Sequence, residues 1–265
     1  MHFEGVLKKM KTEPARPVNY FLALDGDFLH INQLMGQKLA IKHVGYECLG
    51  CGLNKKIFRQ GYCYDCFMSL PQAGDWIMRP ELSRAHLEEE DRDLTYEKQM
   101  QLQPHIVYLA QSGGLKVGVT RATQVPTRWI DQGATEAIAL VEVPNRYLAG
   151  VAEVALKNHY SDKTHWQKML KNLEEKLDLN VVREQAKDYL PEEILPYYSK
   201  TDSGLYQIHY PVRVYPNKVR SLTLDKNPGF TDSLSGVRGQ YLIFESGAVF
   251  NVRNHEGFRV ELDLG

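Results

Sequence analysis

The sequence predicts an α+β protein in which β-rich N- and C-terminal parts surround a cysteine knuckle and a small αβ core. Three observations carry this. Short apolar–polar alternations broken by Gly, Pro and Asn fill both ends of the 265-residue chain. All four cysteines fall between positions 48 and 66. The middle switches from strand alternation to helical spacing near residue 147.

In order, residues 1–45 form a β-rich N-terminal part. "NYFLALDG", "DFLHINQL" and "QKLAIKHVG" are separated by Asp-Gly and Met-Gly breaks that favour tight turns. The knuckle occupies 46–75. Residues 76–104, with "HLEEEDRDLTYEKQMQLQP", read as an acidic linker or a solvated helix. The αβ core spans 105–200: a hairpin at 106–121, the segment "PTRWIDQGA", the strand "AIALVEVP", then helices. Leu148, Val151, Ala152, Ala155 and Leu156 make one helical stripe, and Asp162 is an N-cap for "DKTHWQKMLKNLEEKL". Residues 201–265 form a β-rich C-terminal part with strands expected at "IHYPVRVY", "VRSLTL", "GQYLIFE", "AVFNVR" and "FRVELDL". Chain order suggests that the two β ends join, with the middle inserted.

The composition is 43% hydrophobic and 25% charged, enough for one large domain or two to three small ones. A formal net charge of -1 argues against a dedicated nonspecific DNA coat, which would be strongly basic. The start, "MHFEGVLKKMK", has no apolar signal region, and no run approaches the roughly 18 apolar residues of a membrane span. The expected location is therefore the cytoplasm, without a membrane partner. In that compartment cysteines serve as metal ligands more often than as disulfides.

"CLGC" supplies Cys48 and Cys51, and "CYDC" supplies Cys63 and Cys66. A Cys-x-x-Cys turn aims two thiolates at one ion about 2.3 Å away, and two such turns close a tetrahedron. The pattern predicts structural zinc in a zinc-ribbon-like knuckle. Four thiolates leave no open coordination position, so the expected role is support of the fold or of a contact surface.

The hairpin "IVYLAQSGGLKVGVTR" raises a second possibility. A Ser112-Gly113-Gly114 turn pairs Gln111 with Leu115, Ala110 with Lys116 and Tyr108 with Gly118. Val107, Leu109, Leu115, Val117 and Val119 then share an entirely apolar face, and register follows that pattern. Tyr108 and Lys116 become diagonal neighbours on the other face, and Gly118, opposite Tyr108, leaves open space above the ring. Singly, each polar residue here fits an ordinary structural place: a strand tyrosine, a solvated lysine, an arginine stacked on Trp129, a surface glutamate on the flank of its helix stripe.

Taken together, "VYL", "KVGVTR", the Arg of "TRW" and the Glu of "AEVAL" resemble the GIY-YIG nuclease superfamily over about residues 105–170. The resemblance implies a nuclease-like core. It assigns Tyr108 as general base, Arg128 as phosphate clamp and Glu153 as ligand of one Mg²⁺. Lys116 stands where the second motif usually has tyrosine, and Ile106 where the first has glycine. A cation at Lys116 would favour the phenolate of Tyr108. More of the chain, from the knuckle through "RWIDQGA" and "SDKTHW" to the end, is similar to a bacterial domain family of unknown function. Relatives there carry further cysteines after the knuckle, where this chain reads "AGDWIMRPELS".

In the tail, Arg213, Lys218, Arg220, Arg238, Arg253 and Arg259 with Tyr210, Tyr215 and Tyr241 offer a basic, aromatic face of the kind that binds single strands, although acidic residues there about balance the charge. Three function classes follow: an Mg²⁺-dependent phosphodiesterase acting on RNA or DNA, a non-catalytic zinc protein that binds RNA or DNA, and a protein-interaction module.

Overall fold

The computed structural model describes residues 1–175, 177–198 and 204–265. Fourteen strands and six α-helices lie among them. The strands are β1 (His2–Val6), β2 (Lys11–Glu13), β3 (Asn19–Leu24), β4 (Asp27–His30), β5 (Lys38–Tyr46), β6 (His105–Gln111), β7 (Leu115–Arg121), β8 (Glu136–Val143), β9 (Tyr206–Gln207), β10 (Arg220–Leu222), β11 (Gly229–Arg238), β12 (Tyr241–Phe244), β13 (Ala248–Asn251) and β14 (Phe258–Leu264). The helices are α1 (Tyr64–Ser69), α2 (Leu94–Gln101), α3 (Thr127–Asp131), α4 (Arg146–Lys157), α5 (Trp166–Leu170) and α6 (Leu179–Lys187). The chain is thus α+β, with several sheets and a four-cysteine cluster.

It divides into two compact units. The first holds Met1–Ser69, Leu170–Asn172 and His209–Gly265. Its seven-stranded sheet runs β1-β14-β5-β11-β12-β13-β10, so strands from both ends of the chain interleave. The pairings β1–β14, β14–β5 and β5–β11 are antiparallel. Strands β2, β3 and β4 make a second, antiparallel sheet, and Gly26 at φ +121° turns β3 into β4. Alternation decides which side chains go inward: Tyr20, Leu22 and Leu24 on β3, and Leu39 and Ile41 on β5, are buried.

The tail departs from expectation in two places. "IHYPVRVY" forms only an isolated bridge between Val212 and Gly236. The ten-residue β11, "GFTDSLSGVR", is a strand that the sequence pattern hides. It lacks apolar alternation in its first half and is held by backbone pairing to β5 and β12. The boundary expected at 200/201 lies outside the described residues.

The second unit holds Leu70–Met169 and Leu173–Ile208 around the sheet β7-β6-β8-β9. The hairpin register is the expected one: Gln111–Leu115, Ala110–Lys116, Tyr108–Gly118. Val107, Leu109 and Val117 enter a core shared with Ile138 and Leu140 of β8, Ala152 and Leu156 of α4, and Val182 and Ala186 of α6. Burying such a face contributes on the order of 1.5–3 kcal/mol per large aliphatic side chain.

Three finer expectations are corrected here. The hairpin's other face is covered as well, with Tyr108 and Ala110 at 0% exposure. The buried side of α4 centres on Ala149, Ala152, Glu153 and Leu156, a rotation that brings Glu153 inward from the flank. The helix expected from Asp162 is short, with α5 starting at Trp166. The acidic stretch 76–104 carries three 3₁₀ turns besides α2. The buried carboxylate of Glu97 accepts from the backbone N–H groups of Asp91, Arg92 and Asp93, binding the stretch around the start of α2.

Candidate metal centre and candidate active site

The metal centre begins where β5 ends. Cys48 and Cys51 form the first turn, Cys63 immediately precedes α1, and Cys66 lies on its first turn. Gly52 and Gly61 adopt φ +70° and +79°, the left-handed backbone such turns require. The peptide N–H groups of Cys63 and Gly50 donate to Cys48 Sγ at 3.2 and 3.4 Å, as they would to a thiolate. Cys48 and Cys63 are buried; Cys51 is exposed.

All four sulfurs lie within 4.8 Å of one another. With 2.3 Å metal–sulfur bonds, tetrahedral edges would be about 3.8 Å, so the donor set fits structural zinc. Burial opposes ionisation of Cys48, yet donors from Cys51, Cys63 and Gly50 bring its pKa down to about 6. Burial, then hydrogen bonding to Cys48, Cys63 and Cys51, pushes Cys66 up to about 12. His43 is not a further ligand; its Nε2 bonds to Gly45 O at 2.8 Å.

In the second unit, sheet register and helix packing assemble a polar cluster. Tyr108 of β6 lies over Gly118 of β7, where an added Cβ would come within 2.7 Å of the phenol oxygen. The open space expected above the ring is closed, since Tyr108 is fully buried. Trp129 of α3 packs edge-on at 5.9 Å. The Gln132 amide, just past α3, links Tyr108 to Arg128. With Nε2 toward the phenol oxygen at 2.7 Å, its Oε1 accepts from Nε and a terminal nitrogen of Arg128, both at 3.2 Å.

Burial holds the Tyr108 pKa above its ordinary value; Arg128 pulls it down and Glu153 pushes it up. Arg128, and not Lys116, is the cation that opposes burial at this phenol. Lys116 is 5% exposed, and its Nζ lies 3.4 Å from Thr164 Oγ1. Burial, then repulsion from Arg128, draws it down to about 8 against attraction from Glu153 and Asp162. Glu153 is 8% exposed and pairs with Lys157 at 3.2 Å. Burial raises its pKa, while Lys157 and Arg146 lower it.

Arg128 and Glu153 therefore each act on both Tyr108 and Lys116. Sequence reasoning missed Arg146, Lys157 and the actual place of Asp162. Arg146 donates to the carbonyls of Trp76 and Ile77 at 3.0 and 2.7 Å, with its guanidinium 5.5 Å from the Trp76 ring. Burial brings it down to about 10, against the attraction of Glu153. Lys157 reaches both Glu153 and, at 3.6 Å, Asp162. The i, i+4 spacing of Glu153 and Lys157 was the available signal; Arg146 left none.

An α+β protein with a four-thiol centre suited to zinc is what fold and site define. The chain belongs to the family described as "Protein of unknown function (DUF2797)", whose model matches residues 36–260. No curated protein and no solved structure matches it. No helix among the described residues is long and apolar enough to cross a membrane.

Proposed function

We propose that this is a zinc-containing, nucleic-acid-processing protein whose second unit hydrolyses phosphodiesters at a GIY-YIG-like site. One observation carries the reading: Arg128 and Glu153 act on both Tyr108 and Lys116, and the four side chains come from four different elements.

In this reading Arg128, half-buried and aimed by Gln132, clamps a phosphate. Tyr108, kept protonated by burial, orients that arginine through Gln132. Lys116, titrating near 8, takes the proton of the attacking water. The Lys157 ammonium lies between Glu153 and Asp162, a position suited to a cation. Mg²⁺ is held by one or two carboxylates with several waters, so this pair fits it. When bound, Mg²⁺ would supply positive charge to the phosphate oxygens.

The test is cleavage of single- and double-stranded RNA and DNA with and without Mg²⁺. Glu153→Gln is expected to lower the rate at least about 100-fold with zinc content and circular dichroism unchanged. The rate should rise with pH through about 8 and level off above it, as neutral Lys116 accumulates. Absence of Mg²⁺-dependent cleavage on every substrate defeats the catalytic reading.

The complete burial of Tyr108 favours a second reading, a non-catalytic zinc protein that binds RNA or DNA. Salt-dependent binding without cleavage would select it. Zinc-dependent retention of a protein, with no nucleic-acid binding, would select an interaction module.

A further inference from the structure

The first unit contains an open cleft of about 600 Å³ lined by Arg16, Pro17, Met35, Tyr210 and Arg213, among others. That volume lies within the range of small-molecule sites, roughly 300–1,000 Å³. Arg16, Arg213 and His209 line it, and among the described residues no acidic residue does. Neither guanidinium makes a hydrogen bond or ion pair with a described residue. This local charge stands against a chain of net charge -1.

The fold sets these groups in place. The Arg213 backbone N–H donates to Ser235 O of β11 at 2.9 Å. Its guanidinium lies over Gly36, where a Cβ would collide with it. Behind Tyr210, the fully buried Arg238 holds its guanidinium 5.3 Å from the ring centre. Met35 and Pro17 supply apolar surface on the same cleft. A fitting ligand has an anionic end and a flat apolar body.

We propose that this cleft binds a nucleotide unit, its phosphate between Arg16 and Arg213 and its base against Tyr210 and Met35. Bidentate arginine contact with phosphate and base stacking on an aromatic ring are the recognition forces. The cleft belongs to the first unit and the proposed hydrolytic cluster to the second, and the proposal does not depend on that cluster. The unit comes either as a free nucleotide or as part of a single strand.

The test is titration calorimetry on the zinc-loaded full chain in Mg²⁺-free buffer, where hydrolysis does not enter. The probes are adenosine monophosphate, inorganic phosphate and a short oligothymidylate. The monophosphate or the oligonucleotide is expected to bind at least tenfold more tightly than phosphate. Arg213→Ala and Arg16→Ala should each weaken that binding about tenfold, and Tyr210→Ala should remove the advantage over phosphate. Preference for the monophosphate assigns a free nucleotide; preference for the oligonucleotide assigns a strand. The proposal is overturned if neither binds, if phosphate binds as well as both, or if both arginine variants bind like the unaltered chain while circular dichroism shows all of them folded.

Discussion

The thiol cluster of the first unit and the polar cluster of the second are both assembled from groups that water would otherwise solvate, by opposite routes. The thiol site takes its four ligands from two short turns within 19 residues, Cys48 to Cys66. The polar site draws Tyr108, Lys116, Arg128 and Glu153 from two strands and two helices. A site made of local turns would depend chiefly on an ion bound there. A site made of distant elements depends on register, helix rotation and the pairing of each buried charge.

The strongest way to break the comparison is to remove a thiolate. Cys63→Ser is expected to lose the zinc and to destabilise the first unit by roughly 5 kcal/mol or more, because metal binding is coupled to folding. Metal analysis and denaturant unfolding check it; full zinc retention by the variant would show that the four thiols are not one site. Acid should act in the same direction. Zinc binding to protonated thiols releases protons, and Cys66, held near 12, is protonated at neutral pH without metal. Zinc affinity should therefore fall as pH is lowered, measurable by competition with a chelator dye.

In the polar cluster the expected effects are smaller and differ in sign. Gln132→Leu removes the bridge between Tyr108 and Arg128 and leaves a buried phenol without that partner. The expected cost is about 1–3 kcal/mol of stability, together with loss of any activity that needs an aimed Arg128. An unchanged unfolding midpoint would mean that the amide bridge contributes nothing.

Lys116→Met should stabilise the fold by about 1–2 kcal/mol near neutral pH, because it removes a charge whose burial is opposed by the surroundings. The sign follows from proton binding. The folded-state pKa, about 8, lies below the ordinary 10.5. Between those values the unfolded chain holds more protons, so stability of the unaltered chain rises with pH there. The advantage of the methionine variant should be full below about 8 and shrink toward 10.5. A variant less stable at pH 7 would show that Glu153 and Asp162 more than compensate burial of the ammonium.

The difference between the clusters also explains what could be read in advance. Cys48, Cys51, Cys63 and Cys66 were legible because ligand spacing is a local property. The β6–β7 register was legible because one face is wholly apolar, and a one-residue slip would expose it. Strand β11 was not legible, since much of its support comes from backbone pairing with β5 and β12, which leaves little periodic trace in "GFTDSLSGVR". The inward turn of Glu153 was hidden for a related reason. Gly150 lets α4 approach the turn at Pro80 and Glu81 so closely that a Cβ would collide with its backbone, a contact 69 residues away in sequence for Glu81.

By itself the sequence determined the mixed class, the four-cysteine cluster suited to a metal and the hairpin with its apolar face, because each follows from short-range spacing or strict alternation. Chain order already suggested that the two ends join, and the sheet order β1-β14-β5-β11 bears this out; only the tertiary structure decided the strand order itself, that both faces of the hairpin are covered, and that Gln132, Arg146 and Lys157 join the polar cluster. Those outcomes depend on which surfaces meet across long loops, and contacts of that kind are fixed by packing and desolvation summed over the fold, beyond any one segment.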